Sequence, residues 1–423
     1  MYKKALSTLN NLKESKNYEL IVNIGFFLVL CGKFYYLLGV IDYTIPTAPI
    51  WMILVRDVIT IGFLVIFGLY AKNYVSKINL FGFVLAFGLG ISLIHLSNTK
   101  DIAVWSQHYI RNALIPLIFY PVALGLFMGQ IRIRIRTILS TIFCLSVAIS
   151  YLQVYLSYPV LIRPISFFGD PIINSMILLW GLGSVLISYS SYLGLLAIAL
   201  ILPLLQLMSS LTTLLSAILA CLVIIIISPL RVFFIKNIRL LIINLILGLI
   251  IYFASSHLNW TNNKQFSDIT QKVFTVKENL QCTGASCSYM HWSLKGRIVS
   301  NLKPIEVCKN DFIKCIIGDF SSSKYFRLES TWGSLAINFG VIFFIFYFIW
   351  VLRHLLKPAQ LDNLNTEEQK DCFIWYLILY SSGFFALFST ITYRYPINVL
   401  FYSSMAYAYY HYKNHQHKII KNQ

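Results

Sequence analysis

The sequence predicts an all-α fold: a polytopic transmembrane helix bundle of about twelve spans with one large loop on the far side of the membrane. Three observations predict it. The 423 residues are 58% hydrophobic and only 12% charged, against about 25% charged in an ordinary soluble domain, and the mean hydropathy is +0.71. Apolar runs of the roughly 20 residues that cross a hydrocarbon layer recur almost from end to end. Lys and Arg collect in alternate loops, which fixes an orientation.

The runs fall at 18–40, 50–70, 78–96, 109–129, 137–157, 173–188, 192–207, 211–228, 240–254, 332–352, 372–390 and 397–411. The first 17 residues are polar and no small-residue cleavage site follows the first run. That run therefore reads as a signal anchor that stays in the protein. With the N-terminus inside, the cytoplasmic segments hold Lys3, Lys4, Lys13, Lys16, Lys72, Lys77, Arg132, Arg134, Arg136, Arg231, Lys236, Arg239, Arg353, Lys357, Lys370, Lys413, Lys418 and Lys421. The short outside loops hold only Lys100, Arg163 and Arg394. This asymmetry is the positive-inside pattern, and it accounts for most of the formal charge of +18 without nucleic acid. The alternation Ile131–Arg136 reads as part of the same topology signal, and residues 412–423 as a solvated cytoplasmic tail.

The chain thus divides into a membrane bundle over 1–254, a polar loop over 255–331 and a second membrane segment over 332–423. Long loops cross largely regardless of their charge. Four of the eight cysteines lie in the loop: Cys282, Cys287, Cys308 and Cys315. An even set in one exported segment points to disulfides in an oxidising compartment. Four cysteines allow three pairings; the near neighbours, 282 with 287 and 308 with 315, are the expected ones. Zinc is the rival reading, and the spacings are not CxxC.

Ionisable residues inside a span usually face a bundle interior or a water-filled cavity. Lys33, Arg56 with Asp57, and Arg111 are such residues. Arg56 and Asp57 are adjacent, so on a helix they diverge by roughly 100° and need not pair with each other; a partner on a neighbouring helix is the plain expectation for each. Arg56, Arg111, Arg163 and Arg394 all fall toward the outer half, and Arg297 and Arg327 flank the loop's return to the membrane. Arginine binds phosphate bidentately and keeps its charge when partly desolvated. An outward set of arginines above a lipid-embedded bundle points to an anionic, lipid-linked ligand.

Three segments resemble the bacterial O-antigen polymerases and O-antigen ligases. The first is Arg163-Pro-Ile-Ser-Phe-Phe-Gly-Asp-Pro-Ile-Ile-Asn174, similar to a family loop of Arg, small residue, apolar stretch and Pro-Asn; Ser166 stands where the family has Gly, and Asn174 substitutes for its Asn. The second is Leu207–Leu215, where Ser210 and Thr212 fit and Leu211 replaces an Arg. The third is Ser293-Leu-Lys-Gly-Arg297 followed by Glu329-Ser330 through Gly340, with Gly340 opening an apolar helix. Ligases carry His-Asn or His-Ser where Glu329-Ser330 stand, so the pair resembles the polymerase side.

The resemblance implies a GT-C-like bundle at the outer face of the inner membrane. It also implies metal-independent transfer of a glycan from a polyprenyl diphosphate to a sugar hydroxyl, with no cofactor. The departing diphosphate needs positive charge and the hydroxyl needs a base. No Asp-x-Asp motif is present, so arginines take the first task. Arg163 and Arg297 are assigned to the diphosphate, with Arg111 and Arg327 beside them, and Glu329 to the base or acceptor-binding role. Asn174, Trp332 and His291 complete the expected substrate contacts. The expected partners are a polyprenyl-diphosphate-linked oligosaccharide, membrane lipid and a chain-length regulator. A ligase acting on lipid A core is the near alternative. A transporter of lipid-linked sugars is the distant one, and it predicts internal repeats that the two halves do not show.

Overall fold

A backbone in hydrocarbon has no water to bond with, so apolar runs fold as helices that satisfy their own N–H and C=O groups. In the computed structural model, every element of regular structure among the described residues is helical. Those residues are 16–33, 50–71, 79–102, 105–157, 164–166, 168–189, 191–208, 211–227, 246, 302–319, 331–359, 364–389 and 394–422. The helices are α1 Lys16–Leu30, α2 Ile50–Ala71, α3 Asn79–Thr99, a π-helix Trp105–Leu114, α4 Ile115–Met128, α5 Ile135–Ser157, α6 Pro171–Ser188, α7 Ser191–Met208, α8 Leu211–Ile227, α9 Phe312–Ile317, α10 Thr331–Leu355, α11 Thr366–Phe388 and α12 Ile397–Asn422. A further helix covers 302–310. Among the described residues five stretches are long and apolar enough to cross a membrane by length and composition: Leu80–Thr99, Tyr109–Met128, Ile135–Leu156, Pro171–Ser188 and Thr331–Leu355, the last of them broken at Gly340. The short sixth to eighth spans are helices as expected; the ninth, 240–254, lies outside the described residues apart from Ile246.

The packing is graded. α11 is buried on every side from Asp371 to Ser382, and α12 from Ile397 to Ala406. These two stand with α4 and α6 at the centre. α4 packs on α12 and α2, α5 on α6, and α8 on α11. Trp375 of α11 meets Phe127 of α4 edge-on and stacks on Tyr407 of α12. The outer helices expose large apolar side chains instead, among them Leu54, Val58 and Val65 of α2 and Leu196 of α7. An apolar belt around a buried helical core is the surface of a protein dissolved in lipid.

One end of the bundle is tied by charge. Residues 131–134 lie outside any helix and their side chains alternate in burial: Ile131, Ile133 and Ile135 are buried, while the arginines between them reach other helices. Arg132 bonds Asp371 at 2.5 Å, Arg134 bonds Glu19 at 2.9 Å, and Arg136 pairs with Glu367. Asn23 of α1 closes on the same link, accepting from the Arg134 amide at 2.7 Å and donating to the Arg132 carbonyl at 2.9 Å. The alternation read as a bare topology signal is therefore also a clasp between α1, α5 and α11. Glu367 sits in the first turn of α11, where the N-terminal dipole favours a carboxylate. Hydrogen bonds from Arg136 and Lys370 push its pKa down to about 2.

One further expectation is corrected. The tenth span is not one straight helix: Gly340 has φ 80° and ψ 163°, and Trp332 lies 5.4 Å from Phe348, ring to ring. In a straight helix sixteen residues would separate them by about 24 Å. Residues 331–339 therefore fold back along 341–355 as a helical hairpin. The tail is helical over its described part. α12 runs on to Asn422, and Lys357 lies 3.8 Å from the centre of the Tyr409 ring, a cation–π contact.

Candidate functional site

Several ionisable residues gather at the opposite end of the bundle. Each is delivered by a helix terminus. Lys33 follows α1, Arg56 and Asp57 lie near the start of α2, Arg111 is in the π-helix, Asp170 caps α6, and Arg394 precedes α12. Asp57 is the hub. Its Oδ1 accepts from Arg56 Nε at 3.0 Å, Arg56 Nη2 at 2.7 Å and Arg111 Nε at 3.2 Å. Its Oδ2 stands 2.7 Å from Arg111 Nη2. The expected pairing across helices is present, but the adjacent pair Arg56–Asp57 also bonds. An arginine side chain is long enough to bend back over the divergence that separates the two Cβ atoms.

Asp170 accepts from the backbone N–H of Ile172 at 2.7 Å as an N-cap and pairs with Arg394 through its other oxygen. Lys33 lies within electrostatic reach of Arg56, Arg111, Asp170 and Arg394. Among the described residues four cations thus stand about two carboxylates, an excess of two formal positive charges. The ion-paired side chains are only 12–30% exposed, so the charge is partly withdrawn from solvent.

A cavity of about 390 Å³ opens on this cluster, within the range of small-ligand sites. Arg56, Asp57, Thr60, Arg111, Asn112, Tyr395 and Asn398 give it polar walls, and Ile61, Ile115 and Phe119 an apolar floor. Thr60 donates to the Arg56 carbonyl at 2.9 Å and lies 3.3 Å from the Tyr395 hydroxyl. That hydroxyl donates to the Val29 carbonyl, and the Tyr395 ring lies 5.5 Å from the Arg56 guanidinium. The wall is therefore braced by α1, α2 and the entry to α12 together. The π-helix bears on the site too, since π segments often occur at functional sites. Residues two apart on it face roughly opposite ways. Arg111 points to the cavity, while the Tyr109 hydroxyl meets His95 Nδ1 at 2.6 Å and its ring meets Phe339 at 5.3 Å.

Of the residues expected from sequence, Arg111 is on the cavity. Asn174 is not. It is fully buried, with its amide donating to Ser150 Oγ at 3.0 Å and the Pro164 carbonyl at 3.3 Å, and accepting from Ser146 at 2.6 Å. Its place is to hold the 164–170 turn that presents Asp170. Within that turn Ser166 has φ +49°, a conformation that favours glycine. Gln153 offsets the strain by accepting from the Ser166 and Ile165 amides at 2.8 and 3.0 Å and donating to the Ser166 carbonyl at 3.0 Å. Trp332 is in the α10 hairpin, packed on Phe344, Tyr347 and Phe348.

Arg163, His291, Arg297, Arg327 and Glu329 lie outside the described residues, as do Ser210, the Thr212 side chain and the Cys282–Cys287 pairing. The Cys308–Cys315 disulfide is formed, as expected. Sequence reasoning expected a structural partner for Arg56, grouped it with Arg111, Arg163 and Arg394 toward one end of the bundle, and did not add Lys33, Asp170 or Tyr395 to that set. Their shared signal is position, each being a polar residue beside one end of an apolar run. Comparison of the chain with protein-family models, curated proteins and solved structures finds no match.

Proposed function

We propose that this chain is a membrane-embedded glycan polymerase that binds the diphosphate of a polyprenyl-linked oligosaccharide at the Arg56–Arg111–Arg394 cluster. It would extend the glycan at the outer face of a bacterial inner membrane. One observation carries the reading: a cavity inside an apolar bundle walled by Arg56 and Arg111 with Asp57 between them, one cation in excess among the described lining residues. A site with that excess is completed by an anion, and an anion that reaches it from lipid carries an apolar anchor. The glycine-favouring backbone at Ser166, where the resembling family has glycine, supports the same reading.

In this mechanism an acceptor hydroxyl oxygen attacks the anomeric carbon of the donor. The new glycosidic C–O bond forms as the bond to the phosphate oxygen breaks, and the electron pair leaves on the diphosphate. Arg56 and Arg111 are held in place by Asp57, so their donors are oriented before charge develops. Asp57 is spent on two arginines and is poorly suited to act as the base. The base is assigned to Glu329, just ahead of the α10 hairpin. The Cys308–Cys315 disulfide supports an oxidising compartment for this end of the bundle.

The test is a deletion in the host, with surface polysaccharide resolved on a gel and complementation by wild type, Arg56→Ala, Arg111→Ala and Glu329→Gln. Polymerase function predicts core bearing a single repeat unit in the deletion and a ladder restored only by wild type. Loss of one charge-assisted contact, about 1.5–3 kcal/mol, slows transfer about 10–100-fold. Bare core with polymer retained on the carrier would reassign the chain as a ligase, and an unchanged profile would reject the glycan reading.

A further inference from the structure

The helix over 302–310 and α9 form a compact pair joined by the Cys308–Cys315 disulfide. Asp311 caps α9 by accepting from the Ile313 and Lys314 amides at 3.0 and 3.1 Å, so the turn between the helices is fixed from both sides. Among the described residues the pair docks on the α10 hairpin. Gly318 and Gly340 let its backbone cross the tip of the α10 hairpin, and the Asp319 amide donates to the Ile337 carbonyl at 2.9 Å. On the side away from this contact, Leu302, Ile305, Phe312 and Ile313 are 55%, 54%, 73% and 65% exposed.

Four large apolar side chains on some sixteen residues are too many for a segment that faces water alone. The flanking charges are mixed and neutralise one another: Lys303 pairs with Glu306 at 2.8 Å and Lys314 with Asp319 at 3.5 Å. An acidic or basic macromolecule therefore has nothing to select there. The surroundings supply the occupant. The pair sits over the hairpin turn at Gly340, and the helix that leaves this turn exposes Ile342 and Ile345. On the neighbouring α3, which packs against α10, Leu93 and Ile94 are exposed next to His95. The exposed face of the pair continues the lipid-facing belt of the bundle.

We infer that the disulfide-clamped pair 302–317 is an interfacial anchor that buries Leu302, Ile305, Phe312 and Ile313 in the acyl layer of the adjoining leaflet. Short amphipathic elements with bulky apolar residues on one face and charges beside them lie in the interface in this way. The clamp keeps the two helices at one depth, and the Gly318–Gly340 crossing transmits that depth to the α10 hairpin. The inference is independent of the glycan reading.

The test is photocrosslinking of the full chain in native membranes. A p-benzoylphenylalanine residue replaces Ile305, Phe312 or Ile313, one per variant; exposed positions accept the larger ring without repacking. After irradiation the tryptic peptides are identified by mass spectrometry. The expected result is adducts to phospholipid acyl chains at all three positions. Adducts to residues 255–301 would mean that the chain's own loop covers this face. Adducts to a second copy or to another protein would mean a protein interface, and recovery of unreacted probe would mean a face open to water. Each of these three results overturns the anchor.

Discussion

Replacing Gly340 by alanine tests the fold-back of α10. Gly340 has φ 80° and ψ 163°, a region occupied essentially by glycine alone. A Cβ there would stand 2.0 Å from the Ile316 carbonyl oxygen, 2.5 Å from its carbon and 2.8 Å from the Ile317 nitrogen. All three are backbone atoms of a segment held by the Cys308–Cys315 disulfide, so no side-chain rotation relieves the overlap. Backbone strain contributes about 1–3 kcal/mol and forced separation of packed elements about 1–3 kcal/mol more. The sum is about 2–6 kcal/mol, a large share of ordinary stability. The assay is thermal unfolding of purified protein in lipid nanodiscs, with Gly62→Ala as control. Gly62 lies in α2 with nothing within 4 Å of a built Cβ, and alanine in a helix interior gains about 0.5–1 kcal/mol over glycine. Gly62→Ala should melt at or just above wild type and Gly340→Ala several degrees below it. Equal unfolding temperatures for Gly340→Ala and wild type would refute the backbone crossing.

Asp57→Asn removes the carboxylate shared by Arg56 and Arg111. It should cost about 1–3 kcal/mol of stability in nanodiscs, below the 3–5 kcal/mol of a fully buried pair because the group is partly exposed; an unchanged unfolding temperature would mean the network contributes nothing. Asn174→Ala strands Ser146, Ser150 and the Pro164 carbonyl in a dry site and should cost about 2–4 kcal/mol, read by the same melt, whereas a surface asparagine would cost less than ~0.5 kcal/mol. The Glu367 carboxyl is pushed down to about 2 from its ordinary 4.5 by Arg136 and Lys370. Its contribution is therefore complete above pH ~4.5 and fades as pH falls toward about 2. Acid unfolding of Glu367→Gln should lack that part of the pH dependence, and a curve parallel to wild type would remove Glu367 from the clasp.

Sequence showed most of the helices because an apolar run in lipid has few alternatives to a helix. It showed the Cys308–Cys315 pairing because seven residues of separation keep the partners close. It also grouped Arg56, Arg111, Arg163 and Arg394 toward one end of the bundle; the structure places Arg56, Arg111 and Arg394 at one end, and Arg163 lies outside the described residues. The α10 hairpin was not legible in the same way. The run from Trp332 to Trp350 is apolar enough throughout to read as one span, and composition carries no record of the sign of φ at Gly340. Asn174 was misplaced for a related reason. A polar residue entering a helix after proline looks the same whether its amide meets a ligand or Ser146 and Ser150. The Arg56–Asp57 bond eluded the rule for adjacent residues because that rule describes Cβ directions, while a guanidinium travels several bonds beyond its Cβ.

The positions of Tyr109 and Arg111 join the two unusual features of the molecule. A cation partly out of water is costly unless its geometry is fixed, so whatever sets the path of the π-helix also sets the field in the cavity. One side of that helix is held by Asp57 through Arg111; the other is held by His95 and Phe339 through Tyr109. Phe339 is the last residue before the Gly340 turn, where the backbone crosses that of Ile316 and Ile317. A shift of the hairpin tip therefore acts on the π-helix from the side opposite the cavity. Because residues on that helix move together, a displacement of Tyr109 is passed to Arg111 without any contact between the hairpin and a ligand. Gly340→Ala thus has a second consequence. If the crossing opens, Arg111 loses its register on Asp57, and the anion site should weaken together with the fold. Arg111→Ala should weaken the anion site while leaving the hairpin intact.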